Sequence, residues 1–179
     1  MQDQSSPGSM PAIEQLPLPA ADFDDLTEGV SFTTRARTVT EADVVSFACM
    51  TGDMHPQHTD MSWAAMSPFG GRIAHGMLVL SYAVGLVEFD PERVLALRRV
   101  ADAVFKRPVR LGDTIRVRGS VESCAPVSEA AGLVTLGVRV VNQRDELVLR
   151  ARVEVVWRRD DAPVDADAVA ADGFVPIPL

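Results

Sequence analysis

The chain of 179 residues has no apolar run near the roughly 18–20 residues that a membrane-spanning helix requires. Its longest apolar stretch, Met77 to Val87, is interrupted by Ser81 and Gly85, so no membrane partner is expected. The N-terminal region lacks a basic segment followed by an apolar one, and no secretory signal is expected. Cysteine is scarce. Cys49 and Cys124 stand alone, which excludes a disulfide framework and a cysteine metal spacing and makes a reducing cytoplasm the simplest setting. Aromatic residues are 6% of the chain and do not interleave with the basic ones, which speaks against nucleic acid. No internal repeat is present.

Positive charge is missing from both ends. Residues 1–28 carry six acids and no Lys or Arg, and residues 160–179 carry five acids and no base. All 17 Lys and Arg lie between them, against the remaining 14 of 25 acids, a formal balance of +3. The middle of the chain is therefore mildly basic, which suits a phosphate-bearing ligand and equally suits ordinary surface charge. Residues 1–22, rich in Ser, Pro, Gln and Ala at their start, read as loosely attached, and residues 160–179 as a flexible acidic tail. Residues 23–159 are then the folded domain, and a hydrophobic content of 47% is enough for one core.

Within that domain the pattern is α+β. Val30 to Val39 reads as a strand. Thr40 and Asp43 form a capping-box pattern, and a helix should run from there to Thr51-Gly52, where a glycine suits the left-handed cap. Asp53 then enters a tight loop fixed by Pro56. A short helix is predicted around Asp60 to Met66. Gly76 to Glu88 is apolar on nearly every face, and such a helix must be surrounded by protein. From about residue 95 the period changes to two, with strands near Leu97–Phe105, Thr114–Ser123 and Leu133–Val141. In the last strand Leu147, Leu149, Ala151, Val153, Val155 and Trp157 alternate with a second face, as in a half-buried antiparallel strand. Residues 107–113 and 142–145 read as turns. The economical packing is a curved antiparallel sheet wrapped around the buried helix.

Chemistry concentrates in two short segments, Gly52-Asp53-Met54-His55-Pro56-Gln57-His58 and Phe69-Gly70-Gly71-Arg72-Ile73-Ala74-His75-Gly76-Met77. They bring together a carboxylate, an imidazole and the free N–H groups of a helix start. These are the parts needed to add water to a polarised double bond, or to remove it. Taken alone, Asp53 reads as a turn residue and His58 as a structural hydrogen bonder; in register with Gly76 the catalytic reading is favoured. Gly76 serves either an oxyanion site, where a missing side chain lets a carbonyl approach, or close helix packing. Asp113 reads as the end of a turn, and Cys49 as a residue packed in the first helix.

These residues resemble the MaoC-type dehydratases, the (R)-specific enoyl-CoA hydratases of the hotdog fold. The matching pieces are residues 37–43, Gly52-Asp53 with Pro56 and His58, residues 71–77, and Arg107-Pro108-Val109 with Gly112-Asp113-Thr114; the resemblance covers roughly residues 25–158. It implies a single hotdog fold. Asp53 and His58 would activate water, and Gly76 would hold the thioester oxygen, with no metal and no other cofactor. The substrate would be an acyl-CoA or acyl-carrier-protein thioester, bound near the subunit interface of a homodimer. The usual pattern of the family, Asp-x-Asn-Pro-x-His, is broken at one place: His55 stands where Asn is usual. His55 therefore reads as a substrate contact, a third titrating group or an inert replacement. His75 is expected to hold the loop through a backbone contact. His55, His75, Trp63, Phe69, Met77 and Arg107 are the substrate-binding candidates, with Met66 beside the acyl chain. Arg98, Arg99, Lys106 and Arg110 are further candidates for phosphates, or simply solvated side chains. The alternatives within the fold are an acyl-thioester hydrolase and a non-catalytic partner subunit.

Overall fold

The computed structural model describes residues 21–159; the two expected terminal segments lie almost wholly outside the described residues. After a 3-10 turn at Phe23–Asp25 come β1 (Ser31–Thr33), β2 (Arg37–Thr38), α1 (Glu41–Thr51), α2 (Pro56–Thr59), α3 (Met61–Met66) and α4 (Gly76–Leu86). Four long strands follow: β3 (Val94–Phe105), β4 (Thr114–Pro126), β5 (Ala131–Val141) and β6 (Leu147–Arg158). All pairings are antiparallel, in the order β1-β4-β5-β6-β3, with β2 also pairing with β4. The sheet curves around α4, whose Leu78, Val79, Leu80, Ala83 and Leu86 are buried against it. Trp157 of β6 is fully buried and donates from Nε1 to the Ala21 carbonyl at 3.0 Å, which holds the start of the described chain on the core.

The helix that delivers Asp53 is set by local chemistry. The Asp43 N–H donates to Thr40 Oγ1 at 3.2 Å and the Thr40 N–H donates to Asp43 Oδ2 at 2.7 Å, so two orphan donors of the first turn are satisfied reciprocally. Gly52 closes α1 with φ of 77°, in the left-handed region that glycine adopts without cost to a side chain. Arg37 ties three elements together. Its Nη2 donates to Asp43 Oδ1 at 2.9 Å and to the Tyr82 hydroxyl at 3.1 Å, and its guanidinium lies 4.1 Å from the centre of the Tyr82 ring. Burial raises the Asp43 carboxyl, but the hydrogen bonds from Thr40, Tyr82 and Arg37 outweigh it and hold the group well below the usual carboxylate range.

Four expectations are corrected. The strand expected over Val30–Val39 is two short strands, because Thr34 is buried between them and takes the Val117 N–H on its Oγ1 at 3.0 Å in place of a regular ladder bond. An extra turn of helix, α2, follows His55, since Pro56 at its first position pre-sets the helical φ. The last strand is buried on more than one face: Val148, Glu154 and Val156 are covered too, Glu154 with an ion pair to Arg99. Finally, α4 is not surrounded. Met77, Ser81 and Gly85, four residues apart, form an exposed stripe along it.

Candidate active site

All three histidines of the chain meet in one place. Asp53 leaves the C-terminus of α1, His55 caps α2, His58 sits in α2, and His75 precedes α4. The His58 and His75 rings stack with centroids 3.8 Å apart and 28° between planes, and the Phe47 ring lies 5.0 Å from His75, tilted by 51°. One ligand atom from each of Asp53, His58 and His75 falls within 4.8 Å of the others. That spacing lets one water bridge the Asp53 carboxylate and an imidazole nitrogen.

The hydrogen bonds fix which nitrogens carry protons. His58 Nδ1 lies 2.7 Å from the Ile73 carbonyl oxygen, which only accepts, so Nδ1 holds the hydrogen and Nε2 of the neutral ring keeps its lone pair. Burial pushes the His58 imidazole below its ordinary value of 6.5, and the neighbouring His75 and His55 rings act in the same direction. The hydrogen bond to Ile73 and the charge of Asp53 pull the other way without overcoming it. His58 is therefore neutral at neutral pH, with the Asp53 carboxylate close enough to favour an imidazolium.

His75 is the anchor expected of it. Its Nε2–H donates to the Asp53 carbonyl at 3.0 Å and lies 3.9 Å from Asp53 Oδ2. Its other nitrogen, Nδ1, is buried without a hydrogen-bond partner among the described residues. His55 is the N-cap of α2: its Nδ1 accepts the Gln57 N–H at 3.1 Å. Asn is a favoured N-cap because its side-chain oxygen accepts this same bond. The imidazole thus performs the duty of the residue it replaces, and its ring meets Trp63 edge-on at 5.5 Å and 89°.

A cavity of about 450 Å³ opens beside His58 and Gly76. Phe69, Met77, Phe105, Arg107 and Val148 are among its walls, and Lys106 joins Arg107 there. Of the substrate-binding candidates, His58's neighbours Phe69, Met77 and Arg107 reach this cavity. Trp63 instead packs on His55, and Met66 is exposed. Arg99 is engaged by Glu154, and Arg110 donates to the Phe69 carbonyl. Asp113 is buried and closes its turn, accepting from the Arg110 N–H at 2.8 Å and from Gln143 Nε2 at 2.6 Å. Cys49 is exposed rather than packed within α1, because it falls on the helix face opposite Val44 and Ala48.

Three contributors escaped the sequence reading: the Ile73 carbonyl, Phe105 and Gln57. A Cβ on Gly76 would lie 2.9 Å from Phe105 Cε1, so the aromatic ring of β3 occupies the space the glycine leaves open. Gln57 is buried and its Nε2 donates to the Gly71 carbonyl at 3.1 Å, fastening the two site segments to each other. The position of Gln57 between Pro56 and His58 was the available signal; a backbone carbonyl such as that of Ile73 has none.

Residues 25–143 match the family model described as MaoC like domain. The chain belongs to this family. It is 34% identical over 137 residues to the 3-hydroxybutyryl-CoA dehydratase of Methylorubrum extorquens, a match covering 70% of this chain and 82% of that protein. It is 43% identical over 97 residues to Protein MaoC of Klebsiella aerogenes, covering 54% of this chain but only 29% of that protein's length. A solved structure from Archaeoglobus, described as a monoamine oxidase regulatory protein, is similar with a TM-score of 0.74 and 39% identity, covering 78% of this chain and 95% of that one. The sheet wrapped around α4 is the hotdog fold.

Asp53, His58 and His75 are also numerous enough to approach a metal ion. Two of their nitrogens, His58 Nδ1 and His75 Nε2, already face carbonyl oxygens.

Proposed function

We propose that this MaoC-like domain is a hydro-lyase that adds water to a trans-2-enoyl thioester, giving the (R)-3-hydroxyacyl thioester, or runs the reverse dehydration. The observation that carries this reading is the tautomer of His58: Nδ1–H is committed to Ile73, which leaves Nε2 as the basic atom of a neutral ring that has the Asp53 carboxylate among its neighbours. The name of the Methylorubrum relative supports the same class of reaction.

In the hydration direction a water held between Asp53 and His58 attacks C3. Its O–C3 bond forms as His58 Nε2 takes one proton and the C2=C3 electron pair moves toward the thioester oxygen. The Asp53 carboxylate stabilises the imidazolium. Negative charge on the thioester oxygen meets the first-turn N–H groups of α4, which the helix itself leaves without carbonyl partners; its ladder begins with the Val79 N–H on the His75 oxygen. The positive end of the helix dipole adds to this. C2 then takes a proton from the imidazolium, which restores the neutral base. Hydrogen and hydroxyl have been added, and no electrons are gained or lost.

The acyl chain lies in the apolar cavity between Met77, Phe105 and Val148, and Lys106 and Arg107 at its wall meet the phosphates of a CoA or carrier-protein thioester. A second copy of the chain covers the exposed stripe Met77, Ser81 and Gly85 in a homodimer.

The test is product analysis. The purified protein is incubated with crotonyl-CoA while the conjugated enoyl absorbance and free thiol are both followed. Loss of absorbance without thiol release, with (R)-3-hydroxybutyryl-CoA as product, supports the hydratase. Release of free thiol would instead make the chain a thioesterase.

A further inference from the structure

The outer face of the sheet, away from α4, carries a row of arginines that the hydration chemistry does not use. Arg118 of β4 stands directly opposite Arg139 of β5, and Arg139 stands directly opposite Arg150 of β6. Directly opposed residues on neighbouring strands point to the same side about 5 Å apart, and like charges in such pairs are destabilising. Arg118 is relieved by an ion pair with Asp145 at 2.5 Å. In the next row Arg152 is held by Asp102 at 2.9 Å and Glu122 at 2.8 Å. Arg139 and Arg150 have no carboxylate or hydrogen-bond partner among the described residues.

The row borders a groove of about 590 Å³, of which Ser120 and Gly137 form part of the floor. Gly137 leaves room that Glu122 uses: a Cβ there would lie 2.3 Å from Glu122 Oε1. Glu122 thereby leans toward Arg152 and away from the Arg139–Arg150 pair, so the acids of the groove are spent on one end and the other end stays cationic. Two arginines directly opposed across β5 and β6, in a groove that Ser120 also lines, offer the donors that phosphate oxygens accept bidentately.

We propose that this groove binds a diphosphate-bearing small molecule, held by Arg139 and Arg150 with Arg118 beside them. The site is independent of the proposed hydration chemistry, because Val104 of β3 lines this groove while its neighbour Phe105 lines the acyl cavity on the other side of the sheet. The diphosphate belongs either to a free nucleotide or to the nucleotide end of CoA.

Calorimetric titration of the full chain with inorganic diphosphate, ADP and CoA tests this, using wild type, the double variant Arg139→Gln/Arg150→Gln and, as a charge control outside both sites, Arg35→Gln, whose exposed guanidinium pairs with Glu88. Saturable diphosphate binding that weakens at least about tenfold in the double variant and not in Arg35→Gln supports the site. A larger loss of affinity for ADP than for CoA in the double variant assigns the ligand to free nucleotides; a larger loss for CoA assigns it to CoA. Absence of diphosphate binding by the wild type overturns the proposal, as does equal binding by the double variant. Thermal unfolding gives a second readout. Without ligand the double variant melts at or above the wild-type temperature because the opposed charges are gone, and diphosphate raises the wild-type melting temperature alone. A double variant that melts well below wild type would show that the arginines serve the fold instead.

Discussion

His55 should behave as a cap rather than as an acid or base, and a three-member series separates these roles. His55→Ala removes the Nδ1 acceptor of the Gln57 N–H, a bond of 3.1 Å at the start of a helix only four residues long. Loss of an N-cap acceptor costs about 1 kcal/mol. The edge-on contact with Trp63 at 5.5 Å disappears as well, which adds about 0.5–1 kcal/mol. His55→Ala should therefore lose about 1.5–2 kcal/mol, whereas His55→Asn keeps a cap acceptor and should lose only the ring contact, about 0.5–1 kcal/mol. Urea unfolding measures both, and amide exchange at Gln57 reports the cap locally: fast in Ala, protected in Asn and wild type. Activity should follow the same order, because the cap fixes the turn between Asp53 and His58. Asn should stay within about threefold of wild type, while Ala, with the pair free to drift, should fall roughly tenfold or more. Equal destabilisation by Asn and Ala, or unchanged Gln57 exchange in Ala, would refute the capping role.

Three further outcomes are expected. Gly76→Ala places a Cβ 2.9 Å from the Phe105 ring, which is half exposed and can swing aside. Folding should survive while kcat falls, by roughly tenfold or more if the thioester oxygen loses its close approach. Adding Phe105→Ala should restore stability but not kcat. The rate should fall on acidification with a midpoint below 6.5, since burial lowers His58 and the working form is neutral. The same shift makes His58 contribute stability that is present above the unfolded-state value and lost as pH falls through the lower folded one; a midpoint above 6.5 would contradict it. His75→Ala removes the donor to the Asp53 carbonyl and the ring that Phe47 and His58 both contact. It should cost about 2–3 kcal/mol in thermal unfolding and lower kcat more than it raises KM.

What was legible in the sequence was whatever local chemistry dictates. Thr40 with Asp43 and the glycine at 52 set α1 to within a residue, and the alternation from Leu147 marked β6. Asp53, His58 and Gly76 stood out as candidates because their types and spacing suit the addition of water to a polarised double bond. The role of His55 was not, because a ring nitrogen acting as a cap differs from a ring meeting substrate only in where the next N–H points. Trp63 was read as a substrate-binding candidate, yet α3 sets its ring edge-on to His55. The stripe Met77, Ser81 and Gly85 was misjudged for a related reason: periodicity tells that a helix is apolar, not which of its faces this chain alone covers. The arginine row is a matter of register across three strands, and no single strand shows it.

The most direct test of the hydratase chemistry is the steady-state hydration of crotonyl-CoA by wild type, Asp53→Asn and His58→Ala, each checked by circular dichroism to be folded at the assay temperature. The wild type should turn over, and each variant should lose at least about a hundredfold in kcat with little change in KM. Near wild-type turnover by folded His58→Ala would contradict the assignment of the base, and with it the mechanism built on the Ile73-fixed tautomer.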